Sequence, residues 1–247
     1  MNLNHLRIQD DSRQSQGTDD PTLRIPVRSA DMICYMRDLE RHLLHHIRAA
    51  DAVVGCVAWL THPGILEGLA QRPHGVNLVV QKEDFLRPDL GQGNWAARLR
   101  RLYEALRPAT DRQSGDDVRV TGMSCCVDPS IAPIRCMGNY NAEKHPAFPR
   151  MHHKFLVFCT KYLPPHVEES THRLMEEEDY ARLLPYAVWT GSFNMTVNAT
   201  QSFENALYIT SPPLVQRYFE EWGWIEALSE PLDWTTEWVA PEWRIGT

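Results

Sequence analysis

The sequence predicts an α/β layered fold. Two observations point there. Continuous apolar runs of strand length alternate with segments whose apolar residues recur at helical spacing. Hydrophobic residues make up 43% of the 247-residue chain, enough for a sizeable core in one domain. A chain that alternates in this way packs a sheet against helices.

The elements follow in order. Residues 1–24 are rich in Asp, Gln, Ser and Arg without periodicity and read as a flexible tail. The domain is expected over residues 25–247. Ser29 is read as the cap of a helix running to Ala50, with Met32, Ile33, Met36, Leu39, Leu43 and Ile47 at helical spacing. Residues 52–60 and 76–81 are buried strands, separated by a short helix over 63–71. Residues 94–106 are helical, with Arg98, Arg100, Arg101 and Arg107 on or near the helix. Strands are expected at 118–123, 134–137, 154–159, 187–190 and 205–209, with a short helix opening at Asn194. A closing helix over 213–228 carries Leu214, Tyr218, Trp222 and Ile225 on one face. No internal repeat is present.

Two segments stand apart. Residues 160–185 join two strands through an acidic insertion containing Glu168, Glu169, Glu176, Glu177, Glu178 and Asp179, with a helix expected over 168–184. It is a solvated surface element or an acidic flap that screens anionic substrates. The tail places Trp234, Trp238 and Trp243 among prolines, where core packing competes with a partner contact.

Composition narrows the function classes. No apolar run approaches the ~20 residues of a membrane span, and residues 1–20 lack the apolar core of a signal peptide. The expectation is a soluble, cytoplasmic protein without stable membrane association. The net charge of −7 argues mildly against indiscriminate nucleic-acid binding, although charge distribution matters more than the sum. Cys56 and Cys159 lie in apolar strand-like runs, as buried thiols do. No C-x-x-C spacing exists. Reduced structural cysteines are the expectation.

The chemistry is concentrated in three places. Arg150-Met151-His152-His153-Lys154 precedes an apolar run. Gly191-Ser192-Phe193-Asn194 follows a strand, and Glu204-Asn205 precedes another. A histidine and a lysine two apart on a strand share a face, so a nucleophile and a cation stand together. His153 falls on the opposite face. The Gly-Ser-x-Asn turn adds hydroxyl, amide and backbone donors suited to an anion. Tyr140, Asn141, Lys144 and Arg150 just upstream either stack a base and steady a strand or form an ordinary exposed loop.

In its H-x-K, G-S-x-N and E-N-A segments, taken in that order from about Pro149 to Trp222, the chain resembles the phospholipase D superfamily. The likeness is strongest to small bacterial endonucleases with one motif copy per chain. The resemblance implies a mixed β-sheet between helices and a metal-independent phosphodiesterase without cofactors. A zinc module from Cys125, Cys126, Cys136 and His145, as some enzymes resembling this family carry, is the less favoured alternative to reduced structural cysteines. It makes His152 the nucleophile or the acid and gives Lys154 the non-bridging phosphate oxygens. Ser192 and Asn194 then bind the same phosphate, and Glu204 orients the catalytic imidazole. The mechanism passes through a phosphohistidine and needs two histidines, whereas one motif supplies one. A homodimer sharing one active site solves this, because a site on a two-fold axis completes itself. The chain departs from the family at Cys159, where the motif aspartate belongs. The favoured activity is a nuclease acting on DNA or RNA. The alternatives are a phospholipase or phosphatidyl transferase, and an inactive phosphodiester-binding module.

Overall fold

The computed structural model describes residues 2–3, 25–86, 93–109, 132–162 and 182–234. Their strands form one mixed sheet. In chain order these are β1 (Val27–Arg28), β2 (Met32–Tyr35), β3 (Ala52–Val57), β4 (Val76–Gln81), β5 (Ile134–Met137), β6 (Lys154–Tyr162), β7 (Arg182–Gly191) and β8 (Ala206–Ile209). Across the sheet the order is β1-β2-β8-β7-β6-β3-β4-β5. β3, β4 and β5 run parallel, and the remaining pairs are antiparallel. The helices are α1 (Leu39–Ala49), α2 (Pro63–Ala70), α3 (Asn94–Glu104) and α4 (Pro212–Ala227).

Strand alternation divides the apolar side chains between two cores. On one face Val53, Val57, Leu78, Leu156 and Phe158 meet α1, α2 and α3 through Leu43, Ile47, Ile65, Leu69, Leu99 and Tyr103. On the other face Val54, Cys56, Val79, Phe155 and Val157 meet α4 through Val215, Phe219, Trp222 and Ile225. The sheet is therefore sandwiched between helices, as the fold class predicts. Among the described residues no helix is long and apolar enough to cross a membrane.

Several expectations need correction. The helix expected from Ser29 to Ala50 is a strand followed by a helix. Met32–Tyr35 pairs antiparallel with β8, and Asp38 adopts a left-handed φ of 55° that delays helix entry to Leu39. Sheet pairing outweighs the helical spacing of the apolar residues. On α4 the buried positions are Val215, Phe219, Trp222 and Ile225, with Glu226 and Ala227 at its C-terminal end. Leu214 is exposed, and Tyr218 is only partly buried against Phe155. Within the insertion, 160–162 and 182–184 extend β6 and β7 as an antiparallel arm, so the expected helix does not reach Leu184. The strand expected at 118–123, the tail apart from residues 2–3, Cys125, Cys126, Trp238 and Trp243 lie outside the described residues. Trp234 is buried against Tyr140, beside an ion pair between Lys82 and Glu230 at 2.8 Å.

The odd residues of β6 face α4, so Cys159 is turned away from the face that carries Lys154. Its thiol is fully buried among Ala52, Val54, Val157, Leu183 and Val188. Cys159→Asp is therefore expected to destabilise the fold by on the order of 2–4 kcal/mol, because a carboxylate there has to be desolvated. Thermal melting checks this. An unchanged melting temperature would mean that the position reaches water.

Candidate active site

The site gathers at one end of the sheet, where β3 ends, β6 begins, β7 ends and β8 begins. Lys154 pairs with Val57 at the first position of β6, and Ala58 N–H donates to His153 O at 2.8 Å. The motif thus enters the sheet already extended. Gln81, fully buried at the end of β4, steadies the approach. Its Oε1 accepts from Met151 N–H at 2.8 Å, and its Nε2 donates to Asn139 O at 2.6 Å and Lys82 O at 3.1 Å. Gly138 makes room for this amide. Its φ is 97°, and a Cβ there would lie 2.2 Å from Gln81 Oε1.

His152 and Lys154 share a face. Lys154 Nζ lies 3.2 Å from His152 Nε2 and donates to His152 O at 3.0 Å. An ammonium can only donate, so Nε2 is the unprotonated nitrogen in this pairing. Desolvation lowers the His152 pKa, and the charges of Lys154, Arg150 and His153 lower it further. The imidazole is therefore neutral at pH 7, the form a nucleophile requires. Lys154 is also lowered by burial and by Arg150, while Glu204 opposes that shift.

Glu204 reaches this site across the sheet. Phe155 pairs with Thr190, and Thr190 with Leu207, so Lys154, Gly191 and Ala206 stand level at the strand ends. Gly191 permits the close approach, since a Cβ would meet Asn205 O at 2.3 Å. Ser192 Oγ donates to Glu204 Oε2 and accepts from Asn205 N–H at 3.1 Å. Its hydroxyl proton is thus engaged by the carboxylate. Among the described residues the Glu204 carboxylate is bonded to Ser192 and has no bond to His152.

The segment after Ser192 is not a helix. Met195 is buried, pairs with Leu60, and accepts at its carbonyl from Thr61 N–H and His62 N–H, both at 2.9 Å. That anchoring holds the chain out of helical geometry, and only a three-residue 3-10 turn, Ala199–Gln201, follows. The helix N-terminus expected to receive an anion is absent. Asn194 Oδ1 is buried without a hydrogen-bond partner.

Two residues escaped the sequence reading. The Trp59 ring meets His152 edge-on at 5.2 Å, with Lys154 Nζ 5.9 Å from its centroid. Trp59 Nε1–H donates to Glu83 Oε1 at 2.9 Å, and burial raises the pKa of that carboxylate. Both follow the C-terminal ends of parallel strands, where open α/β sheets place their sites. That topological rule is the signal that could have found them.

The upstream loop is mostly structural. Tyr140 packs on Trp234, and the Asn141 side chain bonds both backbone groups of His145. Arg150 alone of that set acts on the site, through its charge on His152 and Lys154. His153 turns to α4, 3.4 Å from Glu221 Oε1 and edge-on to Phe155. His153→Ala is expected to leave turnover within a few-fold of wild type, as measured by steady-state kinetics. Loss of activity comparable to a His152 substitution would reverse the two assignments.

No known protein-family profile matches the chain. The uncharacterized protein L381 of Acanthamoeba polyphaga mimivirus is 30% identical over 216 residues. The match covers 81% of this chain and spans 66% of that protein's length. Among solved structures the chain is similar to NucT from Helicobacter pylori, with 12% identity and a TM-score of 0.49, over 81% of this chain and 98% of NucT. It is also similar to the phospholipase D family member Nuc from Salmonella typhimurium, with 16% identity and a TM-score of 0.43, over 81% and 95% of the two chains.

Proposed function

We propose that this chain is a phospholipase-D-like phosphodiesterase that cleaves nucleic acid through a phosphohistidine, without a metal. The observation that carries the reading is the contact of Lys154 Nζ with His152 Nε2, in a site where the charge of Glu204 acts on the same ammonium. An incoming phosphate is a stronger partner for the ammonium than an imidazole is. Lys154 then moves to the non-bridging oxygens, and Nε2 is released to attack phosphorus. The P–N bond forms as the P–O bond to the leaving group breaks, and the second imidazole, protonated once the phosphate's negative charge is bound beside it, supplies the leaving oxygen's proton. Water next attacks phosphorus as the P–N bond breaks, gives its proton to the second imidazole, and leaves His152 neutral again.

The second imidazole is assigned to a second copy of the chain. On the site face no other imidazole among the described residues touches His152, since His153 is turned to α4. In such a homodimer Glu204 would orient the imidazole of the other copy, with Ser192 holding the carboxylate and Asn194 left to bind phosphate.

The test is incubation with DNA, RNA and phosphatidylcholine in EDTA, with mass spectrometry for a nucleotide adduct on His152. Cleavage of nucleic acid and an adduct on wild type are expected. Turnover of lipid alone would favour the phospholipase alternative. No turnover of any substrate would leave a phosphodiester-binding module.

A further inference from the structure

We propose that a cavity between α1 and the β1, β2, β8 and β7 strands binds the continuing chain of a single-stranded nucleic acid beyond the cleaved phosphate. The proposal rests on the phosphodiesterase reading and extends it to a second binding surface. The cavity measures about 680 Å³ and contains none of the motif residues. Arg28, Arg41 and Arg48 line it together with Tyr35, Tyr186 and Tyr208. Among the described residues no carboxylate lines it, although the chain carries 32 acidic residues against 25 lysines and arginines. The positive lining is therefore a local concentration on an acidic protein.

Cations for phosphates and ring faces for bases are the two elements that single-stranded nucleic acid needs. The cations are arginines at exposed positions. His42 and His46 also line the cavity, but burial lowers both, His46 to about 4, so they add no charge at pH 7. The rings differ in access. Tyr186 is exposed and Tyr208 half-buried, so these two offer faces to bases, while Tyr35 is buried and supports them from beneath. Tyr208 stacks on His46 at 3.7 Å and 10°, and Tyr35 Oη is 2.9 Å from His46 Nε2. Tyr186 is the extra residue of a β-bulge. Phe158 pairs with Ala187 and Cys159 with Pro185, which leaves Tyr186 without a cross-strand partner on β6 and re-aims its ring.

The cavity adjoins a second one that reaches Glu204, and Arg41 lines both. This neighbouring cavity measures about 480 Å³, and its walls include Arg37, Ser202 and Glu204. There the Arg37 guanidinium lies 4.9 Å from the centre of the exposed Phe203 ring. A strand leaving Glu204 thus meets Phe203 and Arg37, then Arg41, then the tyrosines. The carboxylates Asp38, Glu40 and Glu204 line the neighbouring cavity and not the proposed one, although the charge of Asp38 reaches His42. A duplex hides its base faces and has no use for exposed rings.

The experiment compares wild type with the Arg28→Glu/Arg48→Glu double variant and with Tyr186→Ala. Anisotropy of a labelled single-stranded oligothymidine of about 20 nucleotides gives affinity against salt, and thymidylyl-thymidine cleavage gives turnover of a diester too short to reach the cavity. The double variant is expected to bind the oligonucleotide at least ~10-fold more weakly, with a salt slope shallower by roughly one to two. Tyr186→Ala is expected to lose about tenfold in affinity with the salt slope unchanged. Dinucleotide turnover and circular dichroism should match wild type in both. Unchanged oligonucleotide affinity in both variants overturns the proposal. So does a loss seen only with phosphatidylserine vesicles, which would make the cavity a lipid-headgroup site. Failure of wild type to cleave either substrate sinks the phosphodiesterase reading, while the binding comparison still decides the cavity.

Discussion

His152→Ala is expected to bind single-stranded oligonucleotide and fail to cleave it, with turnover reduced by roughly 10⁴-fold or more. The size follows from the symmetry of the proposed assembly. In a homodimer sharing one site, a single substitution removes both the nucleophile and the proton donor. Binding survives because Lys154 and Arg150 remain. The side chain is exposed, so its loss removes little packing beyond the edge contact with Trp59. Cleavage in EDTA, titration by anisotropy and a melting curve separate these contributions. A variant that folds normally and turns over near the wild-type rate would show that His152 is not the nucleophile.

Lys154→Ala is expected to cost about 10²–10³ in kcat, since it removes a charged donor aimed at oxygens that gain charge in the transition state. It has a second signature. Lys154 is, after desolvation, the largest influence holding the His152 pKa below its ordinary 6.5. Nucleophilic attack needs the neutral ring, so activity falls as pH drops through that pKa. Removing the ammonium lets the pKa rise, and the acid limb of kcat/KM moves to higher pH. A residue that only held the fold would lower the rate without moving the limb. An unmoved limb would show that the 3.2 Å contact is not what sets the imidazole's charge.

Strand-forming runs at 76–81 and 134–137 were legible at their observed bounds, because each is a short apolar run ended by a turn residue or a polar one. Met32–Tyr35 was not legible. Its residues fit a helix as well as a strand, and the choice is made by pairing with Ala206–Ile209, far away in sequence. The same holds for the segment after Asn194, which Met195 pins to Leu60. In the site, His152, Lys154 and Glu204 announce themselves by spacing. Trp59 and Glu83 carry no local pattern and become neighbours of the motif only when β3, β4 and β6 stand side by side. Ser192 was legible as a site residue, but its engagement by Glu204 was not, since that hydrogen bond depends on the close approach at Gly191.

The Gln81 carboxamide has a consequence for how the active site opens in time. Met151 N–H belongs to a segment outside any strand, where amide protons ordinarily exchange with solvent through small local fluctuations. Its acceptor, however, is a fully buried side-chain oxygen whose own amide is bonded to Lys82 O and Asn139 O. Releasing that proton requires the ends of β4 and β5 to part. Met151 should therefore show deuterium uptake as slow as that of the central strands, and much slower than that of the neighbouring residues 141–148. The residue preceding the nucleophile would then unfold with the core rather than with the loop that contains it.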